Sequence, residues 1–253
     1  MARRVPEGPP PPPVAQRIRI RYAKRGRLRF TSHRDFARAF ERALRRAEVP
    51  MAYSAGFTPH PKISYVGASP TGFASEAEYL EIGLARAVDA EQLRAALDDA
   101  LPGGLDIVEA VVAGPGSLAE RMVASHWQIE LPGVPTEVAQ NAIDRFLARD
   151  EVPIERLTKI GRRVIDARSA VLRAEVRGAA VGGGDAGRAI IDLVVRQVTP
   201  AVRPDDVLSG LRVVAGLEPP VPPRVTRLAQ GTLTPQGEIV DPLDADRAAI
   251  GGS

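Results

Sequence analysis

Two histidines stand where an imidazole could act on a phosphate. His60 lies in the run Ala52-Tyr-Ser-Ala-Gly-Phe-Thr-Pro-His-Pro-Lys62, between two prolines and two residues before a lysine. Proline fixes its own φ and stiffens a loop, so the pair would hold the ring in one direction. The residues leave three readings open: a proton donor, a phosphate contact, or a surface residue on a loop packed by Tyr53 and Phe57. His33, in Thr31-Ser-His-Arg-Asp35, falls at a helix start, where exposed N–H groups favour anions. It reads as a catalytic imidazole, a phosphate seat, or part of the capping turn. His126, just before Trp127, reads as structural. His33, His60 and Asp35 show no metal-binding spacing such as H-E-x-x-H, so neither a metal nor a cofactor is expected.

Arginines supply the second chemistry. Arg34, Arg38, Arg42, Arg45 and Arg46 recur largely opposite a Phe36/Phe40/Leu44 stripe, and Arg17, Arg19 and Arg21 alternate with Ile18, Ile20 and Tyr22. Together with Lys62 they are expected to form one basic face. Such a face would track phosphates, with an affinity that falls as salt rises. The competing reading is a solvated helix side, since arginine is a good helix former. Glu76, Glu78 and Glu81 cluster around Tyr79 and could do acid–base work, hold a cation, line the exposed side of a strand, or pair with the basic residues. Thr158-Lys-Ile-Gly-Arg-Arg163, with Asp166 and Arg168, is a second basic turn, but it is not a Gly-x-x-x-x-Gly-Lys phosphate loop.

The elements that would carry these residues follow from periodicity. Residues 17–22 alternate as a half-buried strand, and 27–30 resume that alternation after a turn at Lys24-Arg25-Gly26. Ser32-x-x-Asp35 is a capping box with Asp in the usual Glu position, and Phe36 to Ala47 keep a helical spacing. Strands are predicted at 63–66, at 75–84 and at 105–112, with a second helix capped by Asp89 and stopped at Gly103-Gly104. The order β, α, β, β, α, β is the split-βαβ arrangement, and the right-handed crossover rule puts both helices on one face. A weaker copy follows: strand 126–131, a helix from Thr136, strand-like runs at 154–157, 171–176 and 190–198, a helix with Pro204 in its first turn, and strand 224–233. Gly182-Gly-Gly184 reads as a flexible loop between the last two of those runs. The expected fold class is therefore α+β: two ferredoxin-like (βαββαβ) domains in tandem, with antiparallel sheets and helices on one face. The expected division is a Pro-rich disordered tail at 1–16, a first domain at 17–113, a linker at 114–125, a second domain at 126–235 and a frayed C-terminal tail at 236–253.

Composition narrows the function classes. The 253 residues include no cysteine, which removes disulfides, thiolate metal sites and cysteine nucleophiles from this chain. Net charge is only +3, yet residues 17–62 hold thirteen basic and three acidic side chains, while 63–151 hold five basic and fifteen acidic. That asymmetry points to an anionic partner, or to two partners of opposite charge. No apolar run is long enough to span a membrane, and no signal peptide opens the chain, so a cytoplasmic location is expected.

Several of these segments, taken together, form a distinctive set. Phe30-Thr-Ser-His-Arg-Asp35, Glu41-Arg-Ala-Leu-Arg-Arg46, Tyr53-Ser-x-Gly-Phe57, Pro59-His-Pro-Lys62 and Ser75-Glu-Ala-Glu-Tyr79 resemble the radical SAM-linked family, domain of unknown function 2344. Arg156-Leu-Thr-Lys-Ile-Gly161 and Ile165-Asp-Ala-Arg168 are similar to that family's second half, and Arg34 and Phe36 depart from it where such proteins often carry Leu. The resemblance implies an accessory or substrate-handling role beside a radical S-adenosylmethionine enzyme. Without cysteine, this chain cannot itself supply the C-x-x-x-C-x-x-C cluster ligands of such an enzyme. Three functions are carried forward: an accessory protein for a radical SAM partner that presents RNA or another anionic substrate; a metal-independent ribonuclease using His33 or His60 beside the arginines; and a scaffold that binds only protein.

Overall fold

A computed structural model describes residues 12–55, 57–158, 161–178 and 187–251. Most of the Pro-rich tail, Gly56 and the Gly182–Gly184 loop lie outside the described residues. The chain is a mixed α+β protein whose strands pair antiparallel throughout the named ladders. It divides into two compact units, residues 1–120 with 242–253, and residues 121–241.

In the first unit, β1 (Gln16–Lys24) leads through α1 (His33–Arg46) to β2 (Ile63–Val66) and β3 (Ala74–Leu84), and α2 (Ala90–Ala100) leads to β4 (Leu105–Val112). β1 pairs with both β3 and β4, and β2 pairs with β3, so the strand order is β4-β1-β3-β2. Period-2 alternation sends Ile18, Ile20 and Tyr22 to the helix side. There they meet Phe36, Phe40 and Leu44 of α1 and Leu93 and Leu97 of α2 in one buried cluster. The Tyr22 and Phe36 rings stack at 4.2 Å. α1 starts at Ser32, whose hydroxyl accepts from the Asp35 N–H at 3.2 Å and donates to the Asp35 carboxylate at 2.6 Å. The short acidic side chain thus meets the capping hydroxyl, where a longer Glu would reach back to the backbone. Asp89 caps α2 by accepting from Gln92 N at 2.8 Å, as its position predicts.

Residues 26–30 depart from the expected strand. Gly26 takes φ +54°, and Leu28 and Thr31 each donate their N–H three residues back, which winds this stretch into a 3-10 turn. A left-handed glycine redirects the chain before a second pair of ladder bonds can form.

In the second unit, β5 (Ala124–Pro132) is followed by α3 (Thr136–Leu147). A hairpin of β6 (Pro153–Thr158) and β7 (Gly161–Asp166) comes next, then β8 (Val171–Gly178) and β9 (Arg188–Arg196). α4 (Pro204–Ala215), β10 (Arg224–Leu233) and β11 (Ile239–Val240) complete it. The order β10-β5-β9-β8 repeats that of the first unit, with the β6–β7 hairpin inserted after α3 and β11 paired to β10. The run at 154–157 therefore pairs with β7 and not with the main ladder; of the segment read as a basic turn, Thr158 ends β6, Gly161 to Arg163 open β7, and Lys159 and Ile160 lie outside the described residues. Among the described residues of the hairpin, Ile154 and Ile165 are deeply buried, while Leu157 and Val164 face outward. Gly210 of α4 lies against the Phe146 ring of α3.

The C-terminal stretch expected to fray forms α5 (Asp244–Gly251), and residues 242–253 belong to the first unit. Composition does not reveal this, because α5 is held by two charged residues. Asp246 is fully buried against Arg19, and Arg247 donates to Glu109 at 2.6 Å.

Candidate anion-binding site

The same alternation that buries Ile18 and Ile20 sends Arg17, Arg19 and Arg21 to the sheet face away from α1. The two arginine sets therefore lie on opposite sides of the sheet, and the single basic face expected from sequence does not form. On its own face Arg19 is 1 % exposed. Its Nε donates to Glu81 at 2.9 Å, one terminal nitrogen donates to Asp246 at 2.6 Å, and the other donates to the Gly116 carbonyl. Burial pushes the guanidinium pKa down, and the bonds to Asp246 and Glu81 more than offset this, leaving it raised. A buried, fully paired arginine is a structural group and leaves the set of anion contacts. Arg21 is half-buried, with Nε on the Glu76 carbonyl. Arg17 stays exposed, with one terminal nitrogen 2.9 Å from Glu81.

The acids around Tyr79 are thus occupied. Glu81 holds Arg17 and Arg19, Glu76 holds Arg25, and Glu78 accepts from Ser69 N. Of the readings left open for this cluster, pairing with the basic residues is the one the geometry realises. No group of three or more potential metal ligands exists among the described residues.

α1 presents Arg34, Arg38, Arg42 and Arg45 to solvent, and none has an ion-pair or hydrogen-bond partner among the described residues. At about 1.5 Å per residue this row runs about 16 Å along the helix. His33 opens the row, exposed, its ring edge-on to Tyr65 at 4.8 Å. The Tyr65 hydroxyl is buried without a hydrogen-bond partner, and its burial, with the charge of Glu41, pushes its pKa up.

Residues 51–55 and 57–62 form the two arms of a hairpin laid on the end of β3, with bridges Met51–Leu84 and Tyr53–Pro61. Ala52 N donates to the Gly83 carbonyl, Lys62 N to the Ala52 carbonyl, and Gly83 N to the Lys62 carbonyl, at 2.8, 2.8 and 2.9 Å. Ser54 N donates to the His60 carbonyl at 2.8 Å, while His60 N donates to the Ser54 hydroxyl at 3.0 Å. His60 keeps the one backbone donor between two prolines, and that donor is used to fix the residue. It stands at the wall of two hollows. One, of about 450 Å³, includes Glu41, Arg45, Glu48 and Tyr53. The other, of about 370 Å³, includes Arg17, Ser54, Lys62, Ser64 and Glu81. Four of the residues singled out from sequence, Arg17, His60, Lys62 and Glu81, are thus brought together. Arg45 lines the other hollow with His60. His33 lines neither hollow, so the two histidines do not share a cleft.

Sequence reasoning missed Asp246 and Ser54. The only signal for Asp246 was an acid in an apparently polar tail. Ser54 stood inside a recognised motif without a distinguishing spacing. In the second unit His126 is 3.0 Å from the buried Asp192, which also binds Arg177, in keeping with a structural histidine.

The chain is thus two antiparallel α+β units, the first carrying four arginines of α1 without partners among the described residues and a hollow lined by Arg17, His60 and Lys62. The chain belongs to the family described as an uncharacterized protein conserved in bacteria (DUF2344), whose model matches residues 17–204. No curated protein matches it. Among solved structures it is similar to the first two RRM domains of yeast poly(U)-binding protein (Pub1), at 12 % identity over 83 % of this chain and 98 % of that one. The TM-score is 0.19, and at that value the likeness carries no argument. No helix among the described residues is long and apolar enough to cross a membrane.

Proposed function

We propose that this protein is an accessory binding protein that holds an anionic substrate, RNA by class, for a partner enzyme of the radical SAM type. In the same reading both units are ferredoxin-like, which the strand order of each supports. The observation that carries the anion reading is the row Arg34, Arg38, Arg42, Arg45: four exposed guanidinium groups on one helix without partners among the described residues. An arginine satisfied by a neighbouring carboxylate gains little from a phosphate, whereas these four bring undiminished charge. The partner class rests on the motif resemblance and on the absence of cysteine from the chain. The separation of His33 from His60 argues against a paired-histidine ribonuclease.

Single-stranded RNA titrations across salt test the reading. Four phosphate contacts give a log–log slope of about −2.8, so raising salt fourfold weakens binding by about 50-fold. Replacing Arg38→Glu and Arg42→Glu together is expected to bring the slope to about −1.4 or shallower. Salt-independent binding, or a slope unchanged by the two substitutions, would overturn the assignment. Repeated absence of any radical SAM protein from native co-purifications would remove the partner.

A further inference from the structure

We propose that the hollow walled by Arg17, His60 and Lys62 is a discrete site for one terminal phosphoryl group, a phosphate monoester. It stands independently of the α1 reading above.

The site is assembled from two segments. Arg17 comes from β1, His60 and Ser54 from the 51–62 hairpin, and Lys62 from the hairpin's return beside Gly83 of β3. Arg17 is held through one terminal nitrogen by Glu81, and its remaining guanidinium donors have no partner among the described residues. Lys62 is exposed and has no ion pair among them. Gly83 makes this approach possible: a Cβ there would stand 3.3 Å from the Lys62 Cβ and from Val14. The Ser54–His60 pair of hydrogen bonds fixes the imidazole-bearing backbone against the hollow.

Charge favours an anion. Glu81 faces the hollow, but its second oxygen is taken by Arg19, and Arg19 is balanced in turn by Asp246. Arg17 and Lys62 against Glu81, with Arg19 and Asp246 cancelling, leave one net positive charge before His60 is counted. Donor geometry then selects among anions. A guanidinium on β1, with an ammonium and an imidazole on one arm of the hairpin, suits an acceptor with three terminal oxygens and up to two charges, which is a phosphate monoester. A carboxylate offers two oxygens, and an internal phosphodiester offers two non-bridging oxygens and one charge. The volume, about 370 Å³, lies at the small end of ligand pockets. Arg45, last of the α1 row, lines the neighbouring hollow with His60, Glu41 and Glu48, so His60 is the residue that the two hollows share.

A terminal phosphoryl group can come from an RNA end or from a small phosphorylated metabolite, and the experiment separates the two. The full chain is titrated with one short RNA carrying a 5′-phosphate, a 3′-phosphate or hydroxyls at both ends, and, separately, with inorganic phosphate and ribose 5-phosphate while amide resonances are followed. For an RNA end, one phosphorylated RNA binds about tenfold more tightly than its hydroxyl counterpart. For a metabolite, RNA ends make no difference, and ribose 5-phosphate shifts the Lys62 and Gly83 amides. In both cases His60→Ala with Lys62→Met abolishes the end preference or the amide shifts. Lys62→Met alone, at an exposed position, weakens it and serves if the double variant melts early. The absence of both an end preference and any phosphate-induced shift at these amides overturns the site. Loss of hydroxyl-ended RNA binding with the phosphate shifts retained would instead overturn the α1 track and leave this site standing.

Discussion

Asp246→Ala should be among the most damaging single substitutions outside the apolar core. Asp246 is 0 % exposed, and its Oδ1 accepts from Arg19 at 2.6 Å and from Gly114 N at 2.9 Å. Removing one member of a buried ion pair costs about 3–5 kcal/mol, because the partner charge stays desolvated. Arg19 retains Glu81 and the Gly116 carbonyl, which places the loss near the lower end, about 3 kcal/mol. For a chain of this size that corresponds to a fall in Tm of about 6–12 °C. Urea denaturation by far-UV circular dichroism gives the free energy, and amide exchange at Ile18 and Ile20 localises it to β1. Arg19→Met combined with Asp246→Leu removes both charges. It should recover most of the loss, since an apolar replacement of a whole buried pair is close to neutral. A cost below about 1 kcal/mol for Asp246→Ala would refute the buried-pair argument, and so would a double variant no more stable than the single one.

Two further substitutions test the second unit. Gly210→Ala would put a Cβ 2.8 Å from the Phe146 ring and 3.2 Å from Val152, so despite the helix propensity of alanine it should lower stability by about 1–2 kcal/mol in urea titrations. Burial pushes the Asp166 carboxyl up, but the N–H groups of Val152 and Arg168, at 2.8 and 2.9 Å, more than offset this and hold it below its usual range. A depressed carboxyl stabilises the fold above its unfolded pKa of about 3.9, and that stabilisation is lost as pH falls through the folded value. Asp166→Asn should therefore flatten the dependence of the urea midpoint on pH between about 5 and 2; an unchanged slope there would refute the assignment.

Most of the fold is legible in the sequence because its signals are local. The alternation at 17–22, the Ser32 cap and the Phe36/Phe40/Leu44 stripe each specify an element, and β2, β4, α4 and β10 lie where their patterns put them. The candidate site is legible in sequence as a list of charged residues, but not the surface they form. Arg17, Arg19 and Arg21 look identical in a period-2 pattern. Which of them meets water depends on what covers the far side of the sheet, and that cover is α5, more than two hundred residues away. The hairpin of β6 and β7 was missed for a related reason. It buries too little apolar surface to leave a strong periodic trace, and its basic side chains look like a loop.

The partnership of Arg19 with Asp246 also orders events in time. The two residues are 227 positions apart, and the whole of residues 121–241 lies between them in the chain. At about 5–20 residues per second, a ribosome needs about 11–45 s after making β1 before it delivers the carboxylate that β1 requires. The unit begun first is therefore the last to be completed, and during that interval the nascent Arg19 has Glu81 but no second carboxylate. A chain interrupted before α5 would carry a finished second unit beside a first unit with a half-neutralised buried charge, a species open to chaperones or proteases until synthesis ends.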